Sequence, residues 1–339
     1  MSAKKIFFLF AISFAYFRSA AQDKNDVAVA FYNCENFFDT IDNPLKKDEE
    51  FTPHGKYRYT KKIYLQKLHN IATVINSMEG GDGPAVIGLA EVENSNVLND
   101  LAHQPELAWR GYKYEWADGS DPRGINVALM YNPLHFNVIK TEALHVGLAA
   151  VNPNSNTRDI LHVYGVLSGD SVHIFVCHWP SRRGDADESA TKRERAAEVE
   201  KKAVQQIVLK NPDAKIILMG DFNDNPVDRS ITQILEAKTE ATSVKKNELY
   251  NPWADMYKSG AGTETYKHSW NLFDQIIISG ALLHNRNHKL HYSSAAIYKP
   301  GFIIDHYKGH DGEPHRSFAG TYWINGYSDH FPVILYLAR

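Results

Sequence analysis

Seven apolar runs of strand length recur along the chain: Val27–Tyr32, Val86–Ala90, Ile125–Tyr131, Val172–Cys177, Ile216–Met219, Gln275–Ser279 and Pro332–Leu337. Several are β-branched and nearly continuous. Side chains alternate across a sheet, so a strand apolar at successive positions must be covered on both faces. Two segments carry the helical period instead. Tyr64, Leu65, Leu68, Ile71, Ala72, Ile75 and Met78 form one apolar stripe; Ala196, Val199, Ala203, Val204 and Ile207 form another within the charged stretch Thr191–Lys210. Strands outnumber helices and do not alternate strictly with them, which predicts layered sheets covered by helices over a doubly wound fold. No internal repeat or low-complexity linker divides the 339 residues, so residues 22–339 are expected to form one domain. Segments Asn43–Tyr59 and His284–Tyr327, rich in Gly, Pro, His and charge without a period, read mostly as surface loops.

Residues 1–21 stand apart. Lys4 and Lys5 precede the apolar run Ile6–Phe17, broken only by Ser13, and Ser19-Ala20-Ala21 supplies small residues for cleavage. This is the pattern of a secretory signal peptide. A membrane anchor fits less well, because twelve helical residues span about 18 Å against a hydrocarbon core of about 30 Å. No cysteine follows the cut for lipid attachment, and a secreted or periplasmic protein without a stable membrane anchor is expected. Cleavage removes Lys4, Lys5 and Arg18 and no acid, taking the net charge from −3 to −6. That charge argues against a global positive field for nucleic acid but leaves room for a local basic groove. Two cysteines in the whole chain exclude a disulfide-framed fold and a cysteine-based zinc ribbon.

The ends of the apolar runs carry the chemistry. Val27–Tyr32 leads into Asn33-Cys34-Glu35-Asn36, Val86–Ala90 into Glu91-Val92-Glu93-Asn94, Val172–Cys177 into His178-Trp179-Pro180, and Ile216–Met219 into Gly220-Asp221-Phe222-Asn223. At the opposite polarity Asp274 opens Gln275–Ser279, and Ser328-Asp329-His330 precedes Pro332–Leu337. Six strands thus each place an acid, amide or imidazole at one end, as though one edge of the sheets gathers them around a site. Hard oxygen donors such as Glu91 and Asp329 suit Mg²⁺ or Mn²⁺. Asn33 and Asn223 can donate to phosphate oxygens, and His178 and His330 can move protons near neutral pH. No G-x-S-x-G, G-x-x-x-x-G-K-[ST] or H-E-x-x-H motif is present. Metal-assisted attack of water on phosphorus fits what remains. The run Asp221, Asn223, Asn225 imitates an EF-hand loop, but Pro226 and Thr232 stand where Gly and Glu are required.

The ordered set Asn33, Glu91-Val92-Glu93-Asn94, Arg123-Gly124-Ile125-Asn126, His178-Trp179-Pro180-Ser181-Arg182, Gly220-Asp221-Phe222-Asn223-Asp224, Trp270-Asn271-Leu272-Phe273-Asp274 and Ser328-Asp329-His330-Phe331-Pro332 resembles the endonuclease/exonuclease/phosphatase superfamily. Phe37-Phe38-Asp39-Thr40 and Pro314-His315-Arg316-Ser317-Phe318 are similar to its secreted bacterial branch. The resemblance implies an α+β fold, a four-layer α/β/β/α sandwich of two facing mixed sheets of the deoxyribonuclease I type. It implies Glu91 as principal metal ligand, Asp329 helping to bind or orient the metal, and Glu35 as a second acidic neighbour. Asn33, Arg123 and Asn223 become phosphate contacts. Asp221 orients water or the leaving oxygen, an Asp274–His330 pair serves as base, and His178 is the second imidazole.

Trp179 and Trp270 read as core rather than base-stacking platforms, and Arg182 and Arg183 suit either a phosphate rim or solvent. Strand alternation points Cys34 and Cys177 away from the site, as two buried free thiols. His54, His306 and His310 show no ligand spacing. The function expected is a secreted, Mg²⁺- or Mn²⁺-dependent phosphodiesterase with nucleic acid as substrate, an endonuclease or exonuclease. The alternatives are a phosphatase or phospholipase C-type enzyme of the same superfamily, or a binding protein on the same fold.

Overall fold

The computed structural model describes residues 26–153, 155–284 and 288–339; the expected signal peptide lies outside them. The strands follow in chain order as β1 (Val27–Phe37), β2 (Val86–Val92), β3 (Lys113–Trp116), β4 (Asn126–Tyr131), β5 (Phe136–Leu144) and β6 (Ile160–Leu167). Next come β7 (Asp170–His178), β8 (Lys215–Asp221), β9 (Ala237–Lys238), β10 (Leu249–Tyr250), β11 (Glu264–Tyr266) and β12 (Ser269–Asn271). The last are β13 (Asp274–Ser279), β14 (His291–Ile297), β15 (Phe318–Ala319), β16 (Tyr322–Trp323) and β17 (Val333–Ala338). All seven apolar runs are strands. Two helices match the periodic stripes, α1 (Lys61–Ser77) and, after the short α2 (Ser95–Ala102), α3 (Ala186–Lys210).

One sheet has six strands in the order β14-β17-β1-β2-β4-β3; the other has seven, β5-β6-β7-β8-β13-β10-β9. Both mix parallel and antiparallel pairs. Their facing surfaces enclose an apolar layer containing Val29, Phe31, Leu129, Ile174, Val176, Met219, Ile276 and Leu335. On the outer side of the first sheet α1 and α2 bury Leu68, Ile71, Ile75 and Val97 against Ala30, Ile87 and Leu89. On the outer side of the second, α3 buries Ala196, Ala197 and Val204 against Phe175, Ile216 and Leu218. The result is the expected α/β/β/α sandwich, each fully buried large aliphatic or aromatic side chain contributing about 1.5–3 kcal/mol. The N-termini of the long helices are capped as their sequences require: the Asp185 side chain accepts from the Glu188 backbone amide at 3.0 Å, and the Thr60 hydroxyl accepts from that of Ile63.

Two glycines let strands approach where a side chain could not fit. A Cβ on Gly88 would stand 2.6 Å from the Met219 sulfur of the opposite sheet, and one on Gly220 would stand 2.3 Å from the Cys177 carbonyl oxygen. The loop expectation for Asn43–Tyr59 and the region before Tyr327 needs correction. Phe51 and Tyr59 are buried in an aromatic cluster with Phe38, and β14, β15 and β16 lie in the later segment.

Candidate active site

Register brings three of the expected residues side by side. His178 pairs with Asp221 across β7 and β8, and Asp221 with Asp274 across β8 and β13. All three share strand parity with Val176, Met219 and Ile276, so they face the space between the sheets, at the point where its apolar filling ends. Asn33 arrives from the other sheet with the parity of Val29 and Phe31. Its amide donates across the gap to Asp221 Oδ2 at 3.1 Å, and its own Oδ1 accepts from the Glu35 amide at 3.0 Å. Asp221 Oδ1 accepts from the Asn223 backbone N–H at 2.9 Å, while the Asn223 side chain, expected at phosphate, donates to the Trp179 carbonyl at 3.0 Å. His178 Nε2 stands 3.4 Å from Asp221 Oδ2, and its buried Nδ1 has no partner among the described residues.

His330 completes the group. Its Nδ1 lies 2.7 Å from Asp274 Oδ2, and Asp274 is wholly buried. The turn carrying it is stitched to β1 by Ser328, whose hydroxyl donates to the Asn33 carbonyl at 2.6 Å and accepts from the His330 amide at 3.1 Å. Burial alone would lower the His330 pKa, but Asp274, Asp329 and Asp221 outweigh it and hold the ring well above its ordinary value, as an imidazolium. His178 goes the opposite way: burial, then Arg158 and Arg123, keep it neutral. Burial raises the Asp221 carboxyl to about 7, with Asp274 and Glu91 adding to the rise and the His330 cation opposing it. The expected Asp–His pair is present, with the pKa of the ring held up by its acids and the Asp221 carboxyl beside it raised toward neutrality.

The metal-ligand candidates sit on backbone that departs from regular strand. Glu91 (φ 59°), Glu35 (φ 48°) and Asn36 (φ 52°) are in the left-handed region, as is Asn223 (φ 49°). Register shifts mark bulges at the same places, between Ala90 and Val92 and between Asn33 and Phe37. Ile87 and Leu89 face the helices, yet the next residue to do so is Val92; the bulge takes Glu91 out of the alternation and re-aims it. Such conformations cost about 1–3 kcal/mol each and collect where function needs them. Glu91 accepts from the Asn36 amide at 2.7 Å, and Glu35 from the Ser317 amide at 2.6 Å. Asp329 is half-buried, with Oδ1 3.9 Å from His330 Nε2.

Among the described residues, Glu35, Glu91 and Asp329 do not form a three-residue group with ligand atoms within 4.8 Å of one another; Asp221, Asp274 and His330 do. In that tighter group Asp274 and His330 are already bonded to each other. Mg²⁺ needs only one or two carboxylates and keeps its waters, so the looser set of oxygen donors suits it. Electrostatics agree: burial and then Asp329 raise Glu35 to about 7, even with Lys67 lowering it, as expected of acids short of positive charge. The donors fit a hard divalent cation.

Arg123 lies at the site but is paired, donating to both carboxylate oxygens of Asp121 at 3.2 and 3.0 Å. Behind it is a residue that the motifs did not mark. Arg158 is buried, donates to Asp121 at 3.2 Å and to the Trp179 carbonyl at 2.8 Å, and leaves its Nε without a partner. Glu264 was also missed. Its backbone pairs with that of His330 in an isolated antiparallel β-bridge, its carboxylate accepts from the Asn271 side chain at 3.0 Å, and burial raises its pKa. Both residues adjoin strand starts, the same signal that marked Asp274, but neither belongs to a recognisable motif. Arg182 is engaged with Asp224, Asp228 and the Asn223 carbonyl rather than free at a rim. Trp179 is core, its indole N–H donating to Glu200 at 3.2 Å; Trp270 is only partly buried and stacks on Phe331. Cys34 and Cys177 are buried free thiols on the helix-facing sides, pushed up by burial, Cys34 to about 12.

A four-layer sandwich with acids, amides and two imidazoles at one end is the architecture of the metal-dependent phosphoester hydrolases. The sequence profile of the Endonuclease/Exonuclease/phosphatase family matches residues 28–339, and the chain belongs to that family. Solved structures with the same fold include truncated TDP2 from Caenorhabditis elegans, at 15% identity and TM-score 0.57, covering 93% of this chain and 98% of that one. D. rerio TDP2 complexed with single strand DNA product is similar at 14% identity and TM-score 0.56, covering 93% and 99%. The mannosyl-6-phosphatase of Bacteroides thetaiotaomicron VPI-5482 is similar at 16% identity and TM-score 0.55, covering 92% and 100%. No curated protein matches the sequence.

Proposed function

We propose that this chain is a divalent-metal-dependent phosphodiesterase acting on single-stranded or terminal nucleic-acid phosphodiesters. The observation that carries the reading is the meeting of Asp221, Asn33, His178 and the Asp274–His330 pair at one end of the two sheets. A cation held by Glu91 and Asp329, with Glu35 beside them, would polarise a phosphoryl oxygen and offset developing charge. Asp221, near pKa 7, takes the proton of the attacking water as its oxygen bonds to phosphorus. His330, cationic and fixed by Asp274, holds a non-bridging oxygen whose charge grows in the transition state. As the ester P–O bond breaks, neutral His178 donates a hydrogen bond to the leaving oxygen, which takes its proton from solvent, and the Asn33 side chain and the Asn223 backbone N–H fix the Asp221 carboxylate between them.

Arg123, Arg158 and Arg182 are each bound to acids, so among the described residues they do not form a strip of free cations of the kind that grips a duplex, and Arg183, whose charge reaches His178, stands as a single exposed cation beside them. This favours a single strand or an end. The mannosyl-6-phosphatase neighbour supports a second reading, a small sugar phosphate. Turnover of the purified chain with Mg²⁺ or Mn²⁺ on single-stranded DNA, duplex DNA, RNA, sphingomyelin, sugar phosphates and inositol phosphates tests both. Single strands are expected to be cut fastest, whereas activity confined to phosphomonoesters would replace this reading with the second. We further propose export, with cleavage after Ala21; an intact mass of exported protein that retains residues 1–21 would refute it.

A further inference from the structure

His268, His310 and Glu313 converge outside the catalytic group. His268 sits at the tip of the β11–β12 hairpin, where Lys267 and His268 both have positive φ, 50° and 62°. His310 and Glu313 belong to a loop closed on itself by the Asp305 amide to the Glu313 carbonyl at 2.7 Å and the Gly312 amide to the Asp305 carbonyl at 2.9 Å. Each oxygen of Glu313 meets one imidazole: Oε1 lies 3.1 Å from His268 Nδ1 and Oε2 lies 2.8 Å from His310 Nδ1. The two rings are 5.7 Å apart, and ligand atoms of all three residues lie within 4.8 Å of one another. Ligands about 2.1 Å from a tetrahedral zinc stand about 3.4 Å apart, so small side-chain adjustments would close this set on one ion. The carboxylate is largely buried at 12% exposure while the imidazoles are open at 69% and 56%, which leaves solvent a route to a fourth position.

We infer that His268, His310 and Glu313 form a second metal site, for Zn²⁺, that clips the β11–β12 hairpin to the 305–313 loop. Two imidazoles and one carboxylate select a borderline transition-metal ion, whereas the all-oxygen donors of the catalytic site select a hard one, so the two sites take different metals. The clip bears on the reaction's surroundings. The same hairpin begins at Glu264, whose backbone pairs with that of His330, and the stretch beyond the loop reaches Ser317, whose backbone amide holds Glu35. Zinc would therefore brace two segments that each touch a residue of the catalytic end.

Zinc is titrated into the full chain against a chromogenic chelator in a large excess of Mg²⁺. One tightly held Zn²⁺ is expected in the wild type and in His330→Ala, with at least ~10-fold weaker binding in His268→Ala and in His310→Ala. Both histidines are exposed, so these variants should fold, which circular dichroism checks. Co²⁺ in place of Zn²⁺ should give a tetrahedral ligand-field spectrum in the wild type that is absent in both histidine variants. Hydrogen exchange at 265–269 and 305–313 should slow with Zn²⁺ in the wild type only. Unchanged zinc binding in the His268 and His310 variants, or its loss in His330→Ala, would overturn the assignment.

Discussion

Replacing Asp274 by Asn isolates the part played by charge at the catalytic end. The side chain keeps its size and is wholly buried, and Asp274 Oδ1 has no partner among the described residues, so packing changes little. What is lost is the charge-assisted bond to His330 Nδ1 at 2.7 Å. Such bonds contribute about 1.5–3 kcal/mol, and at about 1.4 kcal/mol per factor of ten the loss lowers kcat by roughly 10- to 150-fold. The pH profile carries more information than the size of the drop. Asp274 is the first of the charges holding His330 protonated against burial; without it the ring titrates nearer its ordinary value of about 6.5. The variant should lose activity at lower pH than the wild type, which still climbs as Asp221 ionises at about 7. The assay is kcat against pH on an oligonucleotide, with the His330 imidazole followed by NMR in both proteins. A kcat within about threefold of wild type with the same high-pH limb would refute the reasoning. So would a wild-type His330 that titrates near 6.5.

Glu91→Gln removes a charged oxygen donor at constant size, so folding should survive while Mg²⁺ affinity, read by calorimetry, falls at least ~10-fold; full activity in excess chelator would contradict this. Glu35 and Asp221 both have folded pKa values raised to about 7, so each adds stability below its unfolded value that is lost as pH rises through 7. The metal-free melting temperature should therefore fall between about pH 4.5 and 7.5, and saturating Mg²⁺ should flatten that fall. His178→Ala should reduce kcat by at least ~10²-fold on an oligonucleotide and less on a nitrophenyl phosphodiester, whose leaving anion is already stable and gains little from that hydrogen bond; equal losses would remove His178 from the leaving oxygen.

The parts of the fold that are buried on both faces were legible, because continuous β-branched runs have no other use; all seven became strands. Missed strands were those whose pattern is diluted. In β5, Asn137, Lys140 and Glu142 face solvent, and in β6, His162, Tyr164 and Gly165 break the apolar run. At the site, parity did most of the work. It sent His178, Asp221 and Asn33 inward and Cys34 and Cys177 outward, as the sequence predicts. Parity fails at Glu91, where only the bulge turns the side chain toward the site, and a bulge leaves no mark in one sequence. Charge states were illegible for a related reason. Whether His330 rests as a cation depends on Asp274, Asp329 and Asp221 together, and two of these are far away along the chain.

The contact between Gly88 and Met219 makes the gap between the sheets a catalytic dimension. Asn33 rides on one sheet and Asp221 on the other, and their 3.1 Å bond spans that gap two residues beyond the glycine. Volume added deep in the apolar layer acts as a shim: it parts the leaves at the site by a fraction of an ångström while each sheet keeps its own ladder. Drift in this core would reach turnover before it reached folding, so the chain's reaction geometry is set in part by side chains that never meet a substrate.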